Sequence, residues 1–188
     1  MKNTIITIIV LIFTTISCKA QIILVENFEE YNQELPDGAY VKDANNVLGK
    51  FVGTWKGTYD NKSYEFKTVR YTRTSSNRNL RFDKLLIRYK ITDTNGAILV
   101  NTLNLPNDNK YVINGTYLVA KTNSYVLSYL GKNGECGQNG DVFISVYGTN
   151  NTKMQLFLSV NGEIYSDCTT GPAKQILPTK GGMSLTKQ

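Results

Sequence analysis

The chain has no histidine among its 188 residues. That removes Ser-His-Asp and Cys-His nucleophile arrangements, histidine-ligated zinc and the usual general base near neutral pH. It has three cysteines, Cys18, Cys136 and Cys168, and a pair of cysteines without histidine makes half a metal site at best. Gly131-Lys132-Asn133-Gly134 and Gly137-Gln138-Asn139-Gly140 are loop glycines without the strand-to-helix setting of a phosphate loop. Acids are sparse past residue 60, and most stand where turns are expected; Asp141 and Asp167 are the one pair that could meet near the cysteines. There is no internal repeat, no low-complexity run and no membrane-length apolar stretch. No catalytic constellation, metal site or cofactor is expected, and the chain is not read as an enzyme.

What is present begins with an address. Met1-Lys2-Asn3 precedes an almost wholly apolar Thr4–Ile16, about 13 residues where a spanning helix needs roughly 20. A short apolar core behind one lysine, ending at small residues, is a secretory signal. Thr15-Ile16-Ser17-Cys18 resembles the lipobox of Gram-negative bacterial lipoproteins. The resemblance implies cleavage before Cys18, acylation of Cys18 and anchoring to the outer membrane. The alternative is cleavage after Ala20, giving a soluble periplasmic or secreted protein.

With Cys18 acylated, Cys136 and Cys168 remain as a pair in an oxidising compartment, where a disulfide is expected; two free thiols are the alternative. Charge is unevenly spread. Residues 19–38 hold five acids against Lys19, while residues 62–90 hold nine Lys and Arg against Glu65 and Asp83, a net +7. In an exported protein such a ribbon points away from nucleic acid and toward an envelope polyanion, with Arg70, Arg73, Arg78, Arg81 and Arg88 as contacts. The alternative is a solvated outer face. Residues 18–42 are read as the lipidated cysteine plus an acidic tether and loosely packed lead-in, and residues 43–188 as a single β-domain behind the signal 1–17.

From Phe51 onward the apolar period is two. Strands are predicted at 51–60, 63–73, 81–92, 97–103, 111–120, 125–130, 142–147 and 154–160, with 181–187 as a closing strand. Tyr64 and Phe66 share one parity, Val69 and Tyr71 the other, which predicts a bulge between them. Asp43 is expected to cap a short helical turn stopped by Gly49. A hairpin centred near residue 150 sets Val142 opposite Leu158, Ile144 opposite Leu156 and Val146 opposite Met154. In the same register Cys136 and Cys168 lie just past its open end, nearly face to face. Eight or nine short antiparallel strands make a barrel or, alternatively, a sandwich.

The segment Asn46–Gly57, with a helical turn before a strand carrying Gly53-Thr54-Trp55, resembles the start of lipocalin-like and fatty-acid-binding-protein-like barrels. The resemblance implies that Trp55 plugs one barrel end and that Gly53 lets neighbouring backbone pack close. The arginine that this superfamily stacks on the tryptophan from its final strand has no match here; the tail offers only Lys180 and Lys187. Without the resemblance, Trp55 reads as a core aromatic. As a whole the chain resembles the small β-rich lipoproteins of unknown function found in such bacteria. The expected role is a lipid-anchored envelope protein that binds a small apolar or amphipathic ligand in its barrel. A structural or interaction lipoprotein with a filled core is the alternative.

Overall fold

The structure is a computed structural model, and it describes residues 21–188. The signal segment and Cys18 lie outside the described residues. Eight antiparallel strands close into a barrel: β3 (Gly53–Tyr59), β4 (Lys62–Ser75), β5 (Leu80–Thr92), β7 (Ile113–Val119), β8 (Ser124–Leu130), β9 (Asn139–Tyr147), β10 (Lys153–Val160) and β11 (Met183–Lys187). Closure comes from β11, which pairs with both β10 and β3. The short strand β6 (Ile98–Asn101) pairs with the end of β5 beyond β7.

The strands form where the period-two pattern predicts them, because one face of each must leave water. Leu85, Ile87, Tyr89 and Ile91 of β5 are all at most 1% exposed. The β9–β10 register sets Val142 against Leu158, Ile144 against Leu156 and Val146 against Met154, as the apolar-on-apolar pairing requires. Asp93 makes the β5–β6 turn, its carboxylate accepting the Asn95 and Ala97 N–H groups.

One barrel end is sealed. Trp55 is fully buried, and its indole N–H donates to the Phe51 carbonyl at 2.9 Å. Lys187, directly opposite Trp55 in β11, lays its ammonium 5.2 Å from the ring centroid. The closing strand thus supplies a cation over the tryptophan. Gly53 has φ +142°, and a Cβ built there would stand 2.7 Å from Lys187 Cε. The glycine therefore serves the lysine's path as well as the backbone.

Three expectations are corrected. The lead-in is not loose: β1 (Ile22–Leu24) pairs in parallel with β2 (Tyr40–Lys42), which pairs in parallel with β5 at Arg81 and Phe82. Ile23, Val25, Ala39 and Val41 belong to the core, so the lead-in from residue 22 is part of the folded domain. No bulge divides β4, which runs in unbroken register against β5 from Ser63 to Ser75. Val69 and Tyr71 are half-buried on the other face instead, while Arg70, Thr72 and Thr74 on the Tyr64 face are exposed, because the β4–β5 ribbon runs on past Thr68, where its pairing with β3 ends. Gly49 does not stop a helical turn; a single 3-10 turn, Gly49–Phe51, starts there. Asp43 accepts the Leu48 N–H at 3.3 Å instead of capping a helix.

Candidate functional site

The barrel interior is filled. Trp55, Phe66, Leu85, Ile87, Ile144 and Leu156 are each fully buried, so among the described residues these side chains leave no open chamber beside them. Toward the other end the packing differs. Starting from Phe66, the β4 partner of Trp55, and its own β5 partner Tyr89, the rings of Tyr64, Phe66, Tyr89 and Tyr129 form a row with centroids 6.0, 6.0 and 6.5 Å apart. Tyr89 is the floor of a cleft of about 350 Å³, within the range of small-molecule sites.

One wall of the cleft comes from β6 and the turn after it. Thr102 holds this wall to β5 as a substitute strand partner: its hydroxyl accepts the Tyr89 N–H at 2.7 Å, and its own N–H donates to the Tyr89 carbonyl at 2.8 Å. Leu99, Val100, Leu105 and Tyr111 present apolar surface from this side. Arg88 braces the turn, donating to the Leu105 carbonyl at 2.8 Å and to the Asn107 side chain.

The other wall is the 131–138 loop with a strap, residues 161–182, that crosses this end. Gly131 N–H donates to the Gln138 carbonyl at 2.7 Å, and the Asn133 N–H donates to the Gln138 side chain at 3.2 Å. The strap is tied down by Tyr64 O–H to the Ile176 carbonyl (2.8 Å), Gln138 to the Lys174 carbonyl (2.9 Å) and Gln175 to the Gly137 carbonyl (2.8 Å). Cys136 and Cys168 come together between loop and strap, with Cα atoms 5.0 Å apart and sulfurs at bonding distance, a separation that a disulfide spans.

The floor is uncharged. Burial pushes the Tyr89 hydroxyl up to about 12, and burial raises Tyr129 as well. Among the described residues the buried Tyr129 hydroxyl has only the Tyr89 hydroxyl near it, with no well-formed hydrogen bond. A cleft with an aromatic floor, aliphatic walls and exposed Lys132 and Asn133 at its rim can desolvate an apolar group while leaving a polar end in water. Among the described residues no cluster of three or more Cys, Asp or Glu is placed to hold a metal, and no helix is long and apolar enough to cross a membrane.

A matching family model spans residues 1–176; it is described as a family of unknown function, DUF6705. The chain belongs to this family. No curated protein and no solved structure matches it. The DUF6705 match includes the segment read as a signal, and it ends at Ile176, the strap residue that lines the cleft. Its description names no activity.

The arginines singled out from sequence do not converge. Arg70 reaches the Asp43 carboxylate at 2.8 Å and Asn46 at 3.0 Å. Arg78 bonds Asp37 (2.7 Å), Glu34 (2.9 Å) and the Leu35 carbonyl. Arg81 stacks on the Tyr40 ring at 4.4 Å, and Arg88 braces the cleft wall. Arg73 alone of the five borders an open polar hollow, about 280 Å³, with Tyr71 and Asp108. The basic ribbon and the acidic lead-in are complementary surfaces of one chain. Asp83 belongs to the same junction. Burial pushes its carboxyl up, but hydrogen bonds from Thr72, the Asp43 N–H and Tyr40 outweigh that and hold it below the ordinary carboxylate value.

Sequence reasoning missed the cleft residues Leu99, Val100, Leu105, Tyr111, Lys132 and Ile176. One signal was there: Ile98-Leu99-Val100 is a run of three apolar residues where period two needs only one or two. Ile98 and Leu99 stand 61% and 42% exposed, more apolar surface than the barrel itself requires.

Proposed function

We propose that this is an exported, lipid-anchored envelope protein that binds the apolar part of a small amphipathic molecule in the Tyr89 cleft. The observation that carries the reading is the cleft itself: about 350 Å³ with a neutral aromatic floor, at the end of a barrel whose filled core makes a rigid support. The binding-module reading therefore moves from the barrel axis to its mouth. A disulfide between Cys136 and Cys168 fixes the strap wall of this site.

Support for the anchor comes from the lipobox-like Thr15–Cys18 and from a family span that covers it. The first strand starts at Ile22, so an acyl group on Cys18 has only Lys19–Gln21 as tether. Strand β1 is joined through β2 to β5 at Arg81 and Phe82, and the cleft floor, Tyr89, lies farther along β5, roughly 26 Å away in an extended strand. An anchored barrel would thus present its cleft away from its own membrane.

Binding is tested with a fluorescent long-chain acyl probe. The wild-type protein is expected to saturate, and Leu105→Trp, which fills the cleft from a loop, is expected to abolish saturation. Undiminished binding by Leu105→Trp removes the cleft as the site. The anchor is tested by intact mass: a diacylated N-terminus at Cys18 is expected, and an unmodified Gln21 N-terminus contradicts it.

A further inference from the structure

A second groove, about 480 Å³, adjoins the cleft, and Tyr111 and Lys132 line both. Its chemistry differs from its neighbour's. Tyr165 stands at one side with Ser166 and Asp167, and Glu135 and Lys110 complete it. Lys110 and Lys132 are balanced by Glu135 and Asp167 among its lining residues, so the groove carries no net charge and has no claim on an anion. It offers instead closely spaced donors and acceptors around an aromatic face.

Tyr165 is 52% exposed, yet it is fixed. Its N–H donates to the Glu135 carbonyl at 2.8 Å, its carbonyl accepts the Cys168 N–H at 3.1 Å, and its hydroxyl donates to Glu163 at 2.8 Å. Cys168, three residues on, is held against Cys136. Burial gives no reason to hold this ring so firmly, since half of it remains in water. A pre-set aromatic face costs a ligand little ordering entropy.

Resting on the reading of the cleft as an apolar subsite, we propose that the groove is its head-group subsite and that the ligand carries an uncharged, polyhydroxylated head of sugar type. The C–H face of such a head packs on the Tyr165 ring. Its hydroxyls donate to Asp167 and Glu135 and accept from Lys110 and Lys132, charge-assisted bonds that neutral hydroxyls make without a net charge. The tail enters the cleft past Tyr111.

The test uses the full chain with Cys18→Ser, exported without an acyl group, titrated below micelle formation with octyl glucoside and with 1-octanol. Amide shifts report the binding. Octyl glucoside is expected to bind about tenfold more tightly than 1-octanol and to shift the amides of Glu135 and Ser166–Cys168 as well as those of Leu99–Thr102. Tyr165→Ala is expected to erase the glucoside's advantage and leave 1-octanol unchanged; Asp167→Asn, which keeps the aromatic face, is expected to weaken the glucoside alone. Equal affinity for the two probes, or an equal loss of both in Tyr165→Ala, overturns the head-group subsite while the cleft stands. If neither probe binds, the cleft reading fails and this inference fails with it.

Discussion

Gly53→Ala tests how the sealed end of the barrel is closed. A φ of +142° lies where L-residues are rarely found, and holding a side chain there costs on the order of 1–3 kcal/mol. The new methyl would also stand 2.7 Å from Lys187 Cε. Lys187 is flexible and would move, giving up its place over Trp55, worth about 0.5–1 kcal/mol. The substitution should therefore cost about 2–4 kcal/mol. Lys187→Ala alone should cost about 1 kcal/mol, through lost stem packing and the lost cation. The double variant should be less destabilised than the sum by about 0.5–1 kcal/mol, because the crowding has already been relieved. Urea unfolding followed by fluorescence measures all three, since Trp55 is the single tryptophan and is fully buried. A Gly53→Ala variant within 0.5 kcal/mol of wild type, or strict additivity in the double variant, refutes the coupling of glycine, lysine and tryptophan.

Three further outcomes follow from the same structure. Cys136 and Cys168 are 32 residues apart, so a disulfide stabilises by about 3–4 kcal/mol in the chain-entropy model; urea midpoints with and without reductant measure it, and thiol labelling of the unreduced, unfolded protein should find neither residue free. Arg70→Met strands the buried Asp43 carboxylate, and because the guanidinium is 45% exposed the cost should be about 1–2 kcal/mol, below that of a fully buried pair; adding Asp43→Asn should recover part of it, and a cost near zero contradicts the clasp between Asp43 and the ribbon. Burial raises Tyr89 from 10.0 to about 12, so the native state holds this proton longer than the unfolded chain. Stability is then full below pH 10 and falls between pH 10 and 12, by about 1.4 kcal/mol per pH unit for this group; Tyr89→Phe should flatten that slope in denaturant midpoints.

Much of the barrel was legible because a half-buried strand must alternate. The pairing of Val142 with Leu158 and the meeting of Cys136 with Cys168 both follow from one turn and that period. The errors occur where alternation is not the governing rule. Val69 and Tyr71 imitate a bulge because the β4–β5 ribbon runs on beyond its pairing with β3, where the Tyr64 face of β4 opens to water. Strands β1 and β2 are three residues each, too short for a period, and are positioned by the free edge of β5 and by ion pairs such as Arg78 with Asp37. The cleft is harder still to read, since Thr102, the 131–138 loop and the strap are irregular backbone joined across the fold. The basic ribbon was visible, but its partners in the lead-in were known only from the contacts of Arg78 and Arg81.

The central claim, that the Tyr89 cleft holds an amphipathic molecule, is tested most directly by native mass spectrometry of the protein extracted from its own membrane. The account predicts a bound species on the wild-type protein, lost on Leu105→Trp, whose dissociated mass fits an acyl or alkyl chain. A wild-type protein that flies bare, or a bound species that survives Leu105→Trp, contradicts it.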